Sequence, residues 1–436
     1  MSRKISYIII IIAILAVIGG VAYFFLYANK PAPSGGATTG QSPFNPFGSS
    51  GTNNNQGSKT GVNNGTSSVI TNGYVYQWPK VREIWSTPIG GFVASSTASS
   101  SSTFVRFVDR GTGYVYSMNA ASSAPATISN TTVPLVYESY WNKNAMSGIF
   151  RYIKEGSDDI TNFYVQLRPT ATTTSIVVSS STATSSISVA PIISQTPYEL
   201  RGTYFPGNII SAAVSPKGNQ VFTIENVGGN GVGFISNFDG SGSSQIFSTP
   251  LVQVNAFWPA TNTLMMSTKA SSGSLGYLYS INVKNGDMSE ILGGVTGLSI
   301  LPNSTGQLVL YSDLSSSGNL VTSLYNTKTS SSQDLPFSTL ADKCVWSIQN
   351  PLDLFCAVPS SVLSGYPDAW YQGTYSTADG ILEIDTDTGS VHSVSNLSQD
   401  TKEQLDAEHL VLDPTERFLY FVNKKDLSLW SVDLYQ

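Results

Sequence analysis

The stretch ISAAVSPKGNQVFTIEN (Ile210–Asn226) consists of an apolar segment, a proline-containing turn and a second apolar segment. The same succession returns in VNAFWPATN around Pro259 and in GLSILPNSTG around Pro302. Pro216, Pro259 and Pro302 stand 43 residues apart in turn. A period of about 40–45 residues is typical of the four-stranded blade of a β-propeller, so this spacing predicts an all-β propeller.

Repeats on both sides of this stretch set the expected number of blades. The series continues at Pro351 and Pro414, and the last interval is wide because the sixth blade carries an insertion, Val358–Gly380. Two weaker units come first, at roughly 90–129 and 132–201, and a Ser/Thr-rich stretch interrupts the second unit. Counting first strands predicts seven blades, with six or eight as alternatives.

The N-terminus predicts a membrane anchor. Residues 5–28 carry no charge, and about 20 apolar residues span a hydrocarbon layer of about 30 Å. Arg3 and Lys4 precede this segment and Lys30 follows it, which places the N-terminus in the cytoplasm. We therefore expect residues 1–28 to form a cytoplasmic tip and a transmembrane helix that contacts the lipid bilayer. A cleaved signal peptide is the alternative.

The rest of the chain divides into a linker and the propeller. Residues 29–77 are rich in Pro, Gly, Ser, Thr and Asn and are predicted to be a disordered tether. The propeller is expected over 78–436. Its last blade has three strand patterns before Gln436, so we expect VREIW (Val81–Trp85) to supply the fourth strand and close the ring. An ordered arm on the surface is the alternative. Closure by this strand would bring the tether in on one face and leave the other face pointing away from the membrane.

Composition disfavours several classes of function. Only 11% of the residues are charged and the net charge is −6. No stretch concentrates Lys and Arg, so a nucleic acid partner is not expected. Two His and two Cys are too few for a zinc or iron–sulfur centre, and we predict no cofactor. The chain also lacks phosphate-binding glycine, GxSxG and HExxH motifs, so no catalytic residue is assigned.

The insertion in the sixth blade is the candidate binding site. It joins the second and third strands, on the face expected to point away from the membrane. Aromatic residues in such a loop are typical of binding surfaces. The candidate binding residues are Tyr366, Asp368, Trp370, Tyr371 and Tyr375. In the alternative interpretation, Trp370 and Tyr371 fill the mouth of the central channel or pack the loop onto the blade.

Cys344 and Cys356 flank the turn between the first two strands of the sixth blade. An antiparallel pairing of these strands brings the two residues close to opposite each other. A disulfide is the expected state of such a pair outside the cell. A catalytic pair is disfavoured, because no helix N-terminus or nearby His is apparent that would lower a thiol pKa.

The blade pattern resembles TolB-like and WD-repeat-like propellers. The sixth and seventh blades are also similar to membrane-anchored propellers of the candidate-phyla bacterial type. The segments that carry this second resemblance are KCVWS (Lys343–Ser347), LFCAVP (Leu354–Pro359), PDAWYQG (Pro367–Gly373) and LYFVNKKDLSLWSVDL (Leu419–Leu434). The resemblance implies a propeller outside the cytoplasm and implies no substrate.

These features favour a non-enzymatic binding or scaffold module for an envelope protein or polysaccharide. One alternative is a glycan hydrolase or lyase that uses carboxylates on the blade tips, since propellers also host such chemistry. Another is a purely structural surface protein. Paired carboxylates in the channel mouth would favour the enzyme, whereas a mouth lined by Ser, Asn and aromatic residues would favour binding.

Overall fold

The computed structural model describes residues 67–71 and 74–436, apart from 97–101, 120–121, 123, 155, 157–159, 171–195, 206 and 363–364. For residues 67–71 and 74–77 it describes the backbone alone. The transmembrane helix predicted over residues 5–28 and most of the predicted linker therefore lie outside the described residues. Within the described part of the chain, none of the helices has the length and apolar character that a bilayer crossing requires.

The protein is an all-β propeller of seven four-stranded antiparallel sheets, as the 43-residue period predicted. We number these sheets blades 1 to 7 along the chain.

The strands of blade 1 are Ile89–Ser96, Thr103–Asp109, Val115–Asn119 and Ala126–Ser129. Those of blade 2 are Val136–Trp141, Ser147–Ile153, Ile160–Pro169 and Tyr198–Tyr204. Those of blade 3 are Ile209–Val214, Gln220–Val227, Asn230–Asn237 and Ser244–Thr249. Those of blade 4 are Val254–Ala260, Thr263–Thr268, Leu275–Asn282 and Met288–Thr296.

The strands of blade 5 are Ser299–Pro302, Leu308–Leu314, Leu320–Asn326 and Ser331–Asp334. Those of blade 6 are Cys344–Trp346, Asp353–Pro359, Asp379–Asp385 and Ser390–Asn396. Those of blade 7 are Ala407–Leu412, Phe418–Asn423, Leu429–Asp433 and Val81–Trp85. Among the described residues, the helical elements are the 3-10 helix Ala341–Lys343 and the short α-helices Asp368–Tyr371 and Leu397–Thr401.

Blade 7 combines both ends of the described propeller. Val81–Trp85 runs antiparallel to Leu429–Asp433, with Val81 opposite Val432. The side chain of Ile84 is buried between this sheet and blade 1, where it joins an apolar cluster with Phe107 and Tyr420. The pairing satisfies backbone groups of Leu429–Asp433 that would otherwise face solvent as a free edge.

A short hairpin precedes the closing strand, inside the range that the sequence assigned to the linker. Its strands, Ser67–Thr71 and Tyr74–Trp78, pair antiparallel with Ser67 opposite Trp78. The β-branched and aromatic residues of SSVIT and YVYQW are of the kind that favours strand pairing. These residues differ in composition from the Gly/Pro/Asn-rich remainder of the range.

The turn between the first and second strands has a common form in several blades. In blade 3, the amide of Gly218 donates to the carbonyl of Ser215, and Gly218 has a positive φ of 73°. In blade 5, Gly306 and Asn303 make the same contact, with φ of 70° at Gly306. Glycine is favoured at these positions because it adopts the left-handed conformation without a steric cost. The recurring proline of the sequence repeat therefore lies at or beside this turn.

The predicted disulfide is confirmed. Cys344 and Cys356 lie directly opposite each other on the first two strands of blade 6, and their sulfur atoms are bonded. Both residues are buried in an apolar cluster with Leu354 and Ile384. The disulfide therefore lies inside the blade, where it stabilises the fold.

Candidate functional site

Strand connectivity defines two faces of the ring. We call the face that carries the connections between second and third strands the loop face. The first strands of neighbouring blades contact each other from blade 1 to blade 2, blade 3 to blade 4 and blade 7 to blade 1. The first strands therefore surround the centre of the ring, and residues at their ends border the central channel.

The insertion of blade 6 lies on the loop face. Two of its five candidate residues are buried, and the other three keep part of their surface exposed. Tyr366 and Trp370 are inside the fold, with exposed fractions of 3% and 2%. Tyr371 keeps 39% of its surface exposed. The Asp368 carboxylate accepts a hydrogen bond from the amide of Ser272 in blade 4, at 2.8 Å. Tyr375 is half-buried and donates to a carbonyl within its own loop.

Trp370 is held by a buried ionic cluster beneath the loop. Its indole N–H donates to the carboxylate of Asp406, with N···O distances of 3.0 and 3.1 Å. The ammonium of Lys343 lies 2.5 Å from Oδ1 of Asp406 and 2.8 Å from Oδ2 of Asp379, and all three charged side chains are fully buried. Thr377 adds hydrogen bonds from its amide and its hydroxyl to Asp406. This arrangement fixes the loop onto blades 6 and 7.

The two aspartates of this cluster differ electrostatically. Burial raises the pKa of Asp379, and the nearby Lys343 only partly opposes that effect. Burial also disfavours the charged form of Asp406, but Lys343 and the hydrogen bonds from Thr377 and Trp370 outweigh it and lower the pKa. The surroundings therefore favour the charged form of Asp406 more than that of Asp379.

A cavity of about 640 Å³ opens beside the loop, among first-strand residues of blades 3, 4 and 7. We call it the channel mouth. The residues that give it its chemical character are Phe257, Lys269, Asp342, Tyr371, Glu408, His409 and Lys424. Two of the five candidate residues, Trp370 and Tyr371, also line it. Tyr366, Asp368 and Tyr375 are not among its lining residues.

Paired polar groups border the channel mouth. The hydroxyl of Tyr371 donates a hydrogen bond to the carboxylate of Asp342. Burial raises the pKa of Asp342 and also that of Tyr371. The ammonium of Lys424, another lining residue, lies 3.2 Å from Oε2 of Glu408 and 4.3 Å from the ring centroid of Trp370. Tyr371 is therefore a hydrogen-bond donor at this site and not a base.

A smaller cavity of about 310 Å³ adjoins the channel mouth and shares Glu408 and His409 with it. It lies among blades 1, 2 and 7, and Arg110, Tyr137 and Glu138 also line it. Glu138 is paired with the buried Arg151 and accepts a hydrogen bond from Tyr140 at 2.7 Å. Both cavities combine apolar residues with a few polar groups at the loop-face end of the channel.

His409 stands at the boundary between the two cavities in an unusual backbone conformation. Its φ is 51°, and the pairing register of the first strand of blade 7 shifts between Glu408 and Val411. A bulge of this kind redirects a side chain, and bulges are common beside functional sites. A positive φ is uncommon for a residue other than glycine, so His409 is a candidate functional residue.

A larger cavity of about 960 Å³ opens among the turns between first and second strands of blades 2 and 3. Its lining includes Asn142, Asn144, Lys143, Lys217 and Asn219. The two lysines and Asn144 are exposed turn residues. Apolar residues such as Val93, Phe238 and Leu412 also line this cavity. Its lining carboxylate, that of Asp239, is exposed, whereas Glu408 of the channel mouth is buried.

Sequence reasoning missed the residues that the ring brings together around the channel. Asp342 and Lys343 precede the first strand of blade 6, and Glu408 and His409 belong to that of blade 7. One sequence feature could have indicated them. The segments ADKCVW and DAEHLVL carry charged residues, whereas the first strands of the other blades consist mostly of apolar or small residues. Among the described residues, no group of three or more His, Cys, Asp or Glu is arranged to hold a metal ion.

Comparison with known proteins identifies the fold alone. No protein-family model matches the chain, and no curated protein sequence matches it. TolB from Acinetobacter baumannii is similar in structure at 11% identity and a TM-score of 0.40, over 71% of this chain and 64% of TolB. An oligogalacturonate lyase in complex with manganese is similar at 8% identity and a TM-score of 0.46, over 82% and 99% of the two chains. A puromycin-hydrolyzing peptidase from Mycobacterium tuberculosis is similar at 11% identity and a TM-score of 0.46, over 81% and 54%.

The strand topology shows the propeller fold that the TolB-like resemblance implies. The chain spans slightly less than two thirds of TolB. The narrower resemblances, to WD-repeat-like propellers and to the candidate-phyla membrane-anchored type, stay predictions.

Proposed function

We propose that the protein is a binding module that holds a segment of an envelope polysaccharide in the channel mouth. The observation that carries this proposal is one concave cavity of about 640 Å³ that places Phe257 and Tyr371 beside Asp342, Glu408 and His409. Ligand sites are typically concave, in the range of about 300–1,000 Å³, with apolar walls and a few oriented polar groups. A sugar ring presents both an apolar face and hydroxyl groups, so it matches such a lining.

The rigidity of the loop supports the same proposal. Trp370, which backs the cavity, is fixed by its hydrogen bonds to the buried Asp406. Asp406 is itself paired with Lys343, so the wall of the cavity is in place before any ligand arrives. A preformed wall saves the ordering cost that a mobile loop would impose on binding.

We further propose that the propeller acts outside the cytoplasmic membrane. The apolar N-terminal segment predicts an anchor with that orientation. The buried disulfide between Cys344 and Cys356 fits an oxidising compartment. Cell-surface proteolysis of intact and permeabilised cells tests this localisation, because a propeller on the outside is cleaved in both preparations.

A panel of neutral and acidic oligosaccharides, titrated into the full-length protein, tests the binding proposal. We expect at least one saccharide to bind, and Tyr371→Ala to weaken that binding at least about tenfold, because truncated aromatic anchors commonly cost this much. Tyr435→Ala is the matched control, since Tyr435 is 73% exposed and does not line the channel mouth. Absence of binding across the panel, or equal binding by a folded Tyr371→Ala variant, would contradict the proposal.

One observation favours an enzyme as the second candidate. Asp342 and Glu408 line the same cavity, and the charge of Glu408 is among the causes that raise the pKa of Asp342. A raised pKa in one of two neighbouring carboxyls is what glycoside hydrolysis requires of its general acid. Incubation with the same oligosaccharides, followed by mass spectrometry, separates the candidates. Chain cleavage that Asp342→Asn abolishes would establish the enzyme, and intact saccharides would favour binding.

A further inference from the structure

The carboxylates that line the two cavities already have partners within the protein. Glu408 forms an ion pair with Lys424, and Glu138 forms one with Arg151. Asp342 accepts a hydrogen bond from Tyr371. Burial raises the pKa of Asp342. Little uncompensated negative charge therefore faces the two cavities.

Two cationic side chains that line these cavities, those of Lys269 and Arg110, have no such partners among the described residues. Lys269 is exposed in the connection between the second and third strands of blade 4, and it lines the channel mouth. Arg110 occupies the corresponding connection in blade 1 and lines the adjoining cavity. Neither of these side chains forms an ion pair with any carboxylate in the described part of the chain. The neighbour of Arg110, Asp109, instead accepts hydrogen bonds from Thr87 and Thr112.

His409 adds a third nitrogen-bearing group between these two positions. It lines both cavities and is exposed, and its bulged backbone directs it away from the regular strand pattern. The surface thus has a cation in each cavity and an imidazole at their boundary. The paired glutamates beside it satisfy their own charges and leave these groups available to a ligand.

From this arrangement we infer that the saccharide bound at the channel mouth is acidic and carries carboxylate groups on more than one sugar unit. The inference rests on the proposed binding function and narrows it to a class of ligand. Because Lys269 and Arg110 line different but adjoining cavities, a chain with repeated carboxylates meets both cations, whereas a single acidic sugar meets one. The planar guanidinium of Arg110 is suited to a carboxylate, with which it forms paired hydrogen bonds.

The test compares acidic oligosaccharides with their own carboxyl-reduced forms. The probes are hexasaccharides of mannuronate, guluronate and glucuronate-containing repeats, each titrated into the full-length protein beside its reduced, neutral counterpart. We expect at least one acidic probe to bind about tenfold tighter than its neutral counterpart, and this preference to shrink as salt rises. A phosphorylated neutral hexasaccharide serves as a further arm. Tighter binding of that probe than of any carboxylated one would overturn the assignment to carboxylates.

Variants of Lys269 and Arg110 test whether these two cations cause the preference for the acidic probe. The double change Lys269→Met and Arg110→Met is expected to remove most of the preference for the acidic probe, measured as the ratio of its affinity to that of its neutral counterpart. Lys284→Met is the matched control, because Lys284 is an exposed lysine of blade 4 that lines neither cavity. Circular dichroism and thermal unfolding check that each variant is folded.

The possible outcomes separate the two proposals. Equal binding of acidic and reduced probes would overturn the inference about charge and leave the saccharide-binding function standing. Binding of no probe of either kind would remove the binding function and the inference together. An acidic preference that the folded double variant retains would place the recognition of charge elsewhere on the protein.

Discussion

Replacing Lys343 with methionine is expected to destabilise the propeller strongly. The ammonium of Lys343 lies 2.5 Å from Asp406 and 2.8 Å from Asp379, and the side chains of all three residues are fully buried. Methionine fills similar space but leaves two carboxyl groups without the cation that faces them. The remaining donors to Asp406, from Thr377 and Trp370, are neutral and compensate only part of the lost charge.

The size of the effect follows from this burial. Removing one partner of a buried ion pair costs about 3–5 kcal/mol, because the other charge stays behind in a medium of low polarity. For a propeller of about 360 residues, an unfolding entropy of about 2.1 cal/mol/K per residue converts this loss to roughly 4–7 °C in the melting temperature. An exposed lysine such as Lys284 has no such partners, so Lys284→Met is expected to change the melting temperature by less than about 1 °C.

The loss of stability in Lys343→Met should depend on pH in a direction that the buried aspartates determine. The pKa of Asp379 is raised by burial, and Lys343 is the main influence that lowers it. Without Lys343 that pKa rises further above the unfolded value. A carboxyl with a raised folded-state pKa favours folding most at low pH and loses that contribution as pH rises through the folded-state pKa. The stability deficit of Lys343→Met relative to the wild type should therefore be larger at pH 8 than at pH 5.

Calorimetric or fluorescence-monitored thermal unfolding of the full-length protein measures these effects. A double-mutant cycle with Asp406→Asn isolates the pairwise term, and we expect a coupling energy above about 1 kcal/mol. The reasoning would be refuted by a melting temperature for Lys343→Met within about 1 °C of the Lys284→Met control. It would also be refuted by a deficit that grows as pH falls from 8 to 5.

Three further perturbations examine other parts of the fold. Replacing Cys344 and Cys356 together with Ser, or reducing the wild type, should lower the free energy of unfolding by up to about 3 kcal/mol, because the disulfide closes a loop of 13 residues. Urea unfolding with and without reductant measures this loss. Unchanged unfolding midpoints would argue against the disulfide. Ile84→Ala, in the closing strand, should cost about 2–5 kcal/mol since Ile84 is buried, and a loss below about 0.5 kcal/mol in the same assay would mean that the strand does not pack in the ring. Gly233→Ala should cost about 1–3 kcal/mol, because a Cβ there would lie 2.1 Å from the ring of Phe247; a stable variant would show that this ring moves easily.

Much of the fold was accessible from local patterns. The prolines at 43-residue intervals and the alternating strands predicted seven blades, which the structure confirms. Cys344 and Cys356 were placed opposite each other by the hairpin between them, and the structure pairs them. Both deductions concern residues that are near in sequence, where strand register and turn length decide the geometry.

The candidate site was predicted less well. The insertion of blade 6 was identified by its length and its aromatic residues, but its most prominent residue, Trp370, is 2% exposed and serves to fix the loop. Sequence alone did not indicate that the indole would find a carboxylate, because Asp406 belongs to the next blade. The sequence around a loop tryptophan does not show whether its side chain faces a ligand or packs against a buried carboxylate.

The sequence by itself determined the repeating strands, their turns and the disulfide of this protein, because each depends on residues that are close along the chain. Only the tertiary structure decided that Asp342, Tyr371, Glu408 and His409 share one cavity. It also decided that Lys343, whose charge is typical of a solvated residue, is fully buried between two carboxylates. The physical reason is ring closure, since packing blade against blade around a channel brings together side chains that no local period relates.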